Sequence, residues 1–301
     1  MPTSIDSVDA LLAAARAAGL DLTTTATELD TTGLDFLVVH AHDAAGVPWI
    51  VRTPRRPDVV VAAAREARVL ALVAPRLPVA VPDWRVHTDD VIAYPRLPGT
   101  PAVTIDAAGG PTWNLIDPAA PSDAFLDGFA AAVAALAAIP TADAAQAGVP
   151  VHTIADTRAA FARAADATRA ALAPSDATWA RWQRWLADDA SWPTHAALVH
   201  GDLHPGHLLL DDGGRLTGVL DWTEAHIGDP SIDLAMFVGC FGRPALERLL
   251  PRLVARGLPT WPRLVDHCVE RWHAFPVLGA EWALRTGNDA VLAHARSHLT
   301  S

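Results

Sequence analysis

The sequence predicts an α+β chain in two lobes, an antiparallel-sheet lobe over about residues 1–97 and a mainly helical lobe over 98–301. Three observations predict it. Apolar residues before residue 97 fall in β-branched and aromatic runs broken by turn residues. After "PGTP" (98–101) the texture turns helical, with caps and proline stops. A single island of strand-like sequence, 196–221, interrupts that second half. With 301 residues, 51% of them apolar, the chain has the length for two lobes and the means to bury their cores.

Ser7 precedes Val8, Leu11, Leu12 and Ala15 at helical spacing and Gly19 ends the run, so a short amphipathic helix opens the chain. "LDFLVVHAHD" (34–43) and "VPWIVRTP" (47–54) form a hairpin around "DAAG", with Gly46 as the left-handed turn residue. A helix follows over 58–74, stopped by Pro75, and a second hairpin joins "VPDWRVH" (81–87) to "VIAYPRL" (91–97). Ser122 or Asp123 caps the next helix, which Pro140 stops. Helices are expected again over 156–172 and 177–189, with Trp182 and Trp185 as core residues, and from Pro230 onward.

Lys and Arg number 23 against 34 Asp and Glu, a net charge of −11 that argues against nucleic acid or an anionic membrane as partner. Cys240 and Cys268 are too few for a disulfide framework and fit a reducing compartment. The first 20 residues carry acids and no basic stretch before an apolar run, so no signal peptide is expected there. The longest apolar run, 129–139, falls short of the roughly 18 residues that span a bilayer. A cytoplasmic protein is expected.

Two groups of residues carry chemistry. Glu66 lies seven residues after Val59, on the inward stripe of its helix, and an unpaired buried carboxylate costs several kcal/mol. Arg52, on the preceding strand, is the nearest cation, and an ordinary half-exposed ion pair is the alternative to a functional one. The second group lies in "LVHGDLHPGHLLLDDGGRLTGVLDW" (198–222), where "DDGG" is a hairpin turn. Folding about residues 213 and 214 sets His207 opposite Leu220, so Asp221 returns beside His207 and both converge with Asp202. Three such groups suit a divalent metal and a general base; the alternative makes both aspartates turn and cap residues. His200 and His204 read as structural, one packing beneath the loop and one exposed.

"HGDLHPGH", followed after a hairpin by "LDW", resembles the phosphotransferase loop of the aminoglycoside phosphotransferase and protein-kinase-like superfamily. Together with "DWTEAHIGDPSIDLAMF", "WIVRTPRRPDV" and "VIAYPRLPGTPA", it is similar to the macrolide 2′-phosphotransferase branch over nearly the whole chain. The resemblance implies a two-lobed protein-kinase-like fold with a hinge at about 93–98. It implies that Asp202 takes the proton of the acceptor hydroxyl, and that His207 and Asp221 flank Mg²⁺. By the same resemblance Arg52 pairs with nucleotide phosphates, with Glu66 as its partner. Gly33 stands where the glycine-rich loop belongs, Ala93, Tyr94 and Pro95 meet a purine, and His200 and Asp233 support the catalytic loop; Asp229 looks like the N-cap of the next helix. Arg52 stands in place of Lys and His207 in place of Asn, and Gly33 is the only glycine of "DTTGLDF", so phosphate binding leans on Arg52 and the metal.

The reaction so implied is transfer of the γ-phosphate of GTP, or of ATP, to the 2′-hydroxyl of the desosamine sugar of macrolides by a monomer, giving macrolide resistance. Phe275, Val277, Leu278 and Trp282 are candidates for an apolar wall, or for ordinary core. The alternatives are a kinase of another small hydroxylated molecule such as an aminoglycoside, a nucleotide-binding pseudoenzyme, and a metallohydrolase caging a metal with His200, Asp202, His204 and His207. The last leaves Arg52 and Glu66 unexplained.

Overall fold

The structure, a computed structural model, describes residues 5–24, 30, 33, 35–106 and 109–299. Helix α1 (Val8–Ala17) begins where Ser7 Oγ accepts the Ala10 N–H at 3.2 Å, and buries Val8, Leu11 and Ala15. β1 (Phe36–His42) pairs antiparallel with β2 (Pro48–Pro54) across a turn tied by Asp43, whose Oδ1 accepts the Ala45 and Val47 N–H groups. Gly46 completes that turn at φ 81°. α2 (Pro57–Val73) has proline in its first turn, and β3 (Val86–His87) and β4 (Ile92–Pro95) complete a four-stranded sheet in the order β1-β2-β4-β3.

Helix α2 serves two cores. Its Ala63 packs with Ile92 and Tyr94 beneath the sheet, while Val69, Leu70, Leu72 and Val73 join Phe125, Phe129, Trp222 and Phe237 in the main core. Just beyond it, Ala80 accepts the Val219 N–H and donates to Thr217 O, at 2.9 and 2.8 Å. The change of texture near residue 97 therefore divides the sheets, while the main core draws on both sides of it.

Helical structure begins later than the sequence pattern suggests. β5 (Thr100–Pro101) pairs with a later strand, and β6 (Val103–Ile105) pairs with β7 (Pro111–Trp113). Neither β6 nor β7 has a buried residue, and at three residues each is too short for alternation to mark it. Then come α3 (Asp123–Ala137), capped by Ser122, a short α4 (Thr141–Gln146) after Pro140, α5 (Ile154–Leu172) and α6 (Asp176–Ala187). Trp182 and Trp185 are core, as expected. β8 (Ala197–Val199), β9 (Leu208–Leu210), β10 (Leu216–Val219) and β11 (His226–Gly228) make two small sheets, β5-β9-β10 and β8-β11. Three helices end the chain: α7 (Ser231–Ala255), α8 (Leu264–Thr286) and α9 (Asp289–Leu299). α7 kinks at Gly242, φ 79° and ψ 167°, two residues before a proline that has no N–H to continue the ladder. Among the described residues no helix is long and apolar enough to cross a membrane.

If α2 shares the main core, Leu70→Ala, at a side chain 4% exposed, costs about 2–5 kcal/mol in urea unfolding. A loss below about 1 kcal/mol would show that this end of α2 is loosely packed.

Candidate active site

A cleft of about 660 Å³ lies between the first sheet and the β9–β10 hairpin, lined by Gly33, Arg52, Tyr94, Asp202, His207 and Asp221 among others. The hairpin creates it. Leu208 pairs with Val219, the Leu220 N–H donates to His207 O at 2.8 Å, and Asp221 emerges beside His207 with Oδ2 3.7 Å from Nε2. Asp221 has φ 57°, a left-handed conformation that Asp tolerates better than most residues. Its Oδ1 accepts the Thr223 N–H at 3.2 Å, which holds the turn and leaves Oδ2 toward the cleft. Burial works to raise the Asp221 carboxyl, but His207 and the Thr223 N–H outweigh it, so the group is held below the ordinary carboxylate value.

Backbone groups orient the three histidines of the loop. His200 is fully buried; its Nδ1 accepts the Asp202 N–H at 3.3 Å and its Nε2 faces Leu220 O at 2.9 Å, so the ring bears hydrogen on Nε2. Burial pushes its pKa down to about 3. Both nitrogens are engaged, which removes His200 from any metal cage. His207 takes the other tautomer, Nδ1–H donating to Asp202 O at 2.9 Å, and the lone pair of Nε2 faces Asp221. An imidazole fixed through its second nitrogen to a carbonyl, next to a carboxylate oxygen 3.7 Å away, suits a divalent cation. His204 does not stand away in solvent. It lines the cleft, with Nε2 3.8 Å from Asp202 Oδ2 and its ring centroid 3.9 Å from that of His207.

The loop is anchored from below. Asp233, on α7, accepts the His200 and Gly201 N–H groups, each at 2.9 Å, while burial pushes its carboxyl up to about 6. Gly201 has φ 87°, and a Cβ there would collide with Glu224 O. The N-cap of α7 is Pro230, one residue after the expected Asp229, which accepts the Ser231 N–H and meets Arg271 at 2.6 Å and His267 at 3.0 Å. Burial opposes its charge, yet Arg271 and His267 hold it well below the usual carboxylate range.

Arg52 and Glu66 form a buried ion pair at 2.9 Å, their side chains 11% and 1% exposed, so the half-exposed alternative does not apply. The guanidinium carbon lies 4.1 Å from the centre of the Phe36 ring and 4.7 Å from that of Trp84. Its Nε has no hydrogen-bond partner among the described residues. Glu66 also accepts the Trp222 N–H at 3.3 Å and the Thr223 hydroxyl at 3.4 Å. Burial raises the Glu66 carboxyl above the ordinary value, and Arg52 works against that.

Other expected residues scatter. Tyr94 reaches the cleft, but Ala93 lies fully buried inside the sheet with its carbonyl accepting the Arg85 N–H, and neither it nor Pro95 lines the cavity. Gly33 lines it; its neighbours Thr31, Thr32 and Leu34 lie outside the described residues. Val277 is 1% exposed in a core with Phe161 and Trp185, so it is no wall, and Leu278 packs on the same core. The reason is α8 itself, which turns that face onto α5 and α6. Phe275 and Trp282 are exposed on α8 and do not line the cleft. Glu224, unremarked in the sequence, does line it; its place three residues beyond Asp221 was the available signal.

The family model described as "Phosphotransferase enzyme family" matches residues 27–266, and the chain belongs to that family. It is 41% identical over 273 residues to the uncharacterized protein YcbJ of Bacillus subtilis (strain 168), covering 90% of this chain and 89% of that one. Among solved structures it is similar to the apoenzyme of macrolide 2′-phosphotransferase MphH from Brachybacterium faecium, with 40% identity, 97% of both chains covered and a TM-score of 0.89. It is similar too to a macrolide 2′-phosphotransferase type I, with 39% identity, 97% and 96% covered and a TM-score of 0.88. The fold is thus kinase-like, a sheet lobe over a helical one, and the chain is a phosphotransferase.

Removing one member of the buried pair leaves a charge without its partner. Glu66→Ala is expected to cost about 3–5 kcal/mol in urea unfolding, and the double variant Arg52→Met, Glu66→Ala clearly less. Additive losses in this cycle would mean that the pair is not coupled.

Proposed function

We propose that this member of the phosphotransferase enzyme family transfers the γ-phosphoryl group of a purine nucleoside triphosphate, GTP, to the 2′-hydroxyl of the desosamine sugar of macrolide antibiotics, and so confers resistance. The observation that carries the reading is the meeting of Asp202, His207 and Asp221 in one cleft with the buried Arg52, in a chain 40% identical over 97% of its length to a macrolide 2′-phosphotransferase.

Asp202 accepts the proton of the attacking hydroxyl as the new O–P bond forms. The bond from the γ-phosphorus to its bridging oxygen breaks, and the nucleoside diphosphate leaves with that electron pair. Arg52, held by Glu66 and stacked aromatic rings, presents a fixed positive charge to the phosphates. A divalent cation held by His207 Nε2 and Asp221 Oδ2 would neutralise phosphate charge when bound; Mg²⁺ is the expected ion, and the nitrogen donor also suits Mn²⁺. Catalysis then rests mainly on positioning and on charge.

Glu224 supports an acceptor that carries a cation. Its carboxyl is raised chiefly by burial, against the pull of Arg65, with Asp202 and Asp221 adding repulsion. A protonated dimethylamino group beside the reacting hydroxyl would relieve that crowding of like charge.

Incubation with GTP, Mg²⁺ and erythromycin should add one phosphate to the drug by mass, and Asp202→Asn should abolish transfer while nucleotide still binds. Turnover of kanamycin without any macrolide product would defeat the macrolide reading. Glu224→Gln should raise KM for erythromycin about fivefold, near the 1 kcal/mol of a partly exposed ion pair, and leave KM for GTP unchanged; an equal rise in both would remove Glu224 from the acceptor side.

A further inference from the structure

We propose that Phe36 is a positioning residue for the phosphate-facing charge: with Trp84 it forms an aromatic recess fitted to a flat guanidinium, so that a lysine of equal charge cannot replace Arg52. The inference rests on the reading of Arg52 as a phosphate contact, and its test is arranged so that the two fail separately.

The strand period puts the ring there. Val38 stands opposite Arg52 in the β1–β2 pair, and Phe36, two residues earlier, shares its face. That is the diagonal at which an aromatic ring and a long side chain meet. Phe36, Val38 and Arg52 all line the cleft, whereas Trp84 does not and comes from the group around Ile92 and Tyr94. The guanidinium carbon is 4.1 Å from the centre of the Phe36 ring, 4.7 Å from that of Trp84 and 5.7 Å from that of Tyr94. Its Nη2 donates to Glu66 at 2.9 Å, while Nε is buried without a hydrogen-bond partner among the described residues. Ring surface surrounds this cation more fully than hydrogen-bond acceptors do.

The shape of the cation decides what such a recess holds. The N–H bonds of a guanidinium lie in its plane, so its faces meet rings without giving up a donor, and it is weakly hydrated. An ammonium group points its three N–H bonds out of any one plane. With one of them on Glu66, the others would face rings in place of water. That loss draws the amine out of the recess or weakens its hold on the proton. Glu66 therefore fixes an edge of the guanidinium and Phe36 a face. Position along the strand comes from the first contact, and position across the cleft wall from the second.

GTP binding with Mg²⁺ present, followed by calorimetry on the whole protein, should weaken about tenfold in Arg52→Lys and by a similar factor in Phe36→Leu. Phe36→Tyr keeps the ring and should bind within about twofold of the wild type. The double variant Phe36→Leu, Arg52→Lys should bind no more weakly than Arg52→Lys, because the lysine does not use the ring. Losses that multiply overturn the proposal, as does loss of binding in Phe36→Tyr equal to that in Phe36→Leu. Chemical rescue separates this role from a structural one. Millimolar guanidinium chloride should strengthen GTP binding by Arg52→Ala about tenfold more than methylammonium chloride does, and that preference should vanish in Arg52→Ala, Phe36→Leu. Equal rescue by the two cations, or a preference that survives loss of the ring, overturns it. Weak binding in Arg52→Ala with wild-type binding in Arg52→Lys refutes the recess alone; wild-type binding in Arg52→Ala refutes the phosphate contact and the recess together.

Discussion

The site depends on what one carboxylate holds together. Glu66 reaches from α2 to Arg52 on β2, to the Trp222 backbone and to the Thr223 hydroxyl. The first belongs to the sheet and the other two follow Asp221 directly. Buried ion pairs add little net stability, because desolvation offsets the attraction, but they discriminate sharply between right and wrong geometry. Here the discriminated quantity is the position of Arg52 relative to Asp221. The aromatic rings around Arg52 add to this: a desolvated guanidinium with few alternative partners stays where Glu66 puts it.

Below the cleft the same economy recurs, with side chains orienting backbone and backbone orienting side chains. Asp233 tethers two N–H groups of the loop after β8, and backbone carbonyls and N–H groups then select the tautomers of His200, His204 and His207. Three histidines in eight positions thus differ in which ring nitrogen the backbone occupies. Composition cannot show that difference.

The parts legible in the sequence were those governed by local rules. "DDGG" announces a hairpin, the two-residue period of its strands returns Asp221 to His207, and the helical period turns Glu66 inward. What stayed hidden depended on neighbours distant in the chain. β6 and β7 form a ribbon of three residues a side without a buried face, too short and too exposed for any period to mark them. Val277 and Phe275 are both apolar on one helix, and only the packing of α5 and α6 makes the first core and leaves the second exposed. His204 read as structural because its contact with Asp202 arises from the turn at Pro205 and Gly206, which no periodicity encodes.

Helix α2 carries a consequence for how the cleft behaves. One end lies under the four-stranded sheet and the other is embedded among the phenylalanines of α3 and α7. Interiors packed to crystal-like density transmit displacement and do not absorb it. Glu66 lies between the two ends of this helix. A change of packing near Val73 is therefore felt at Glu66, and through it in the spacing between Arg52 and Asp221.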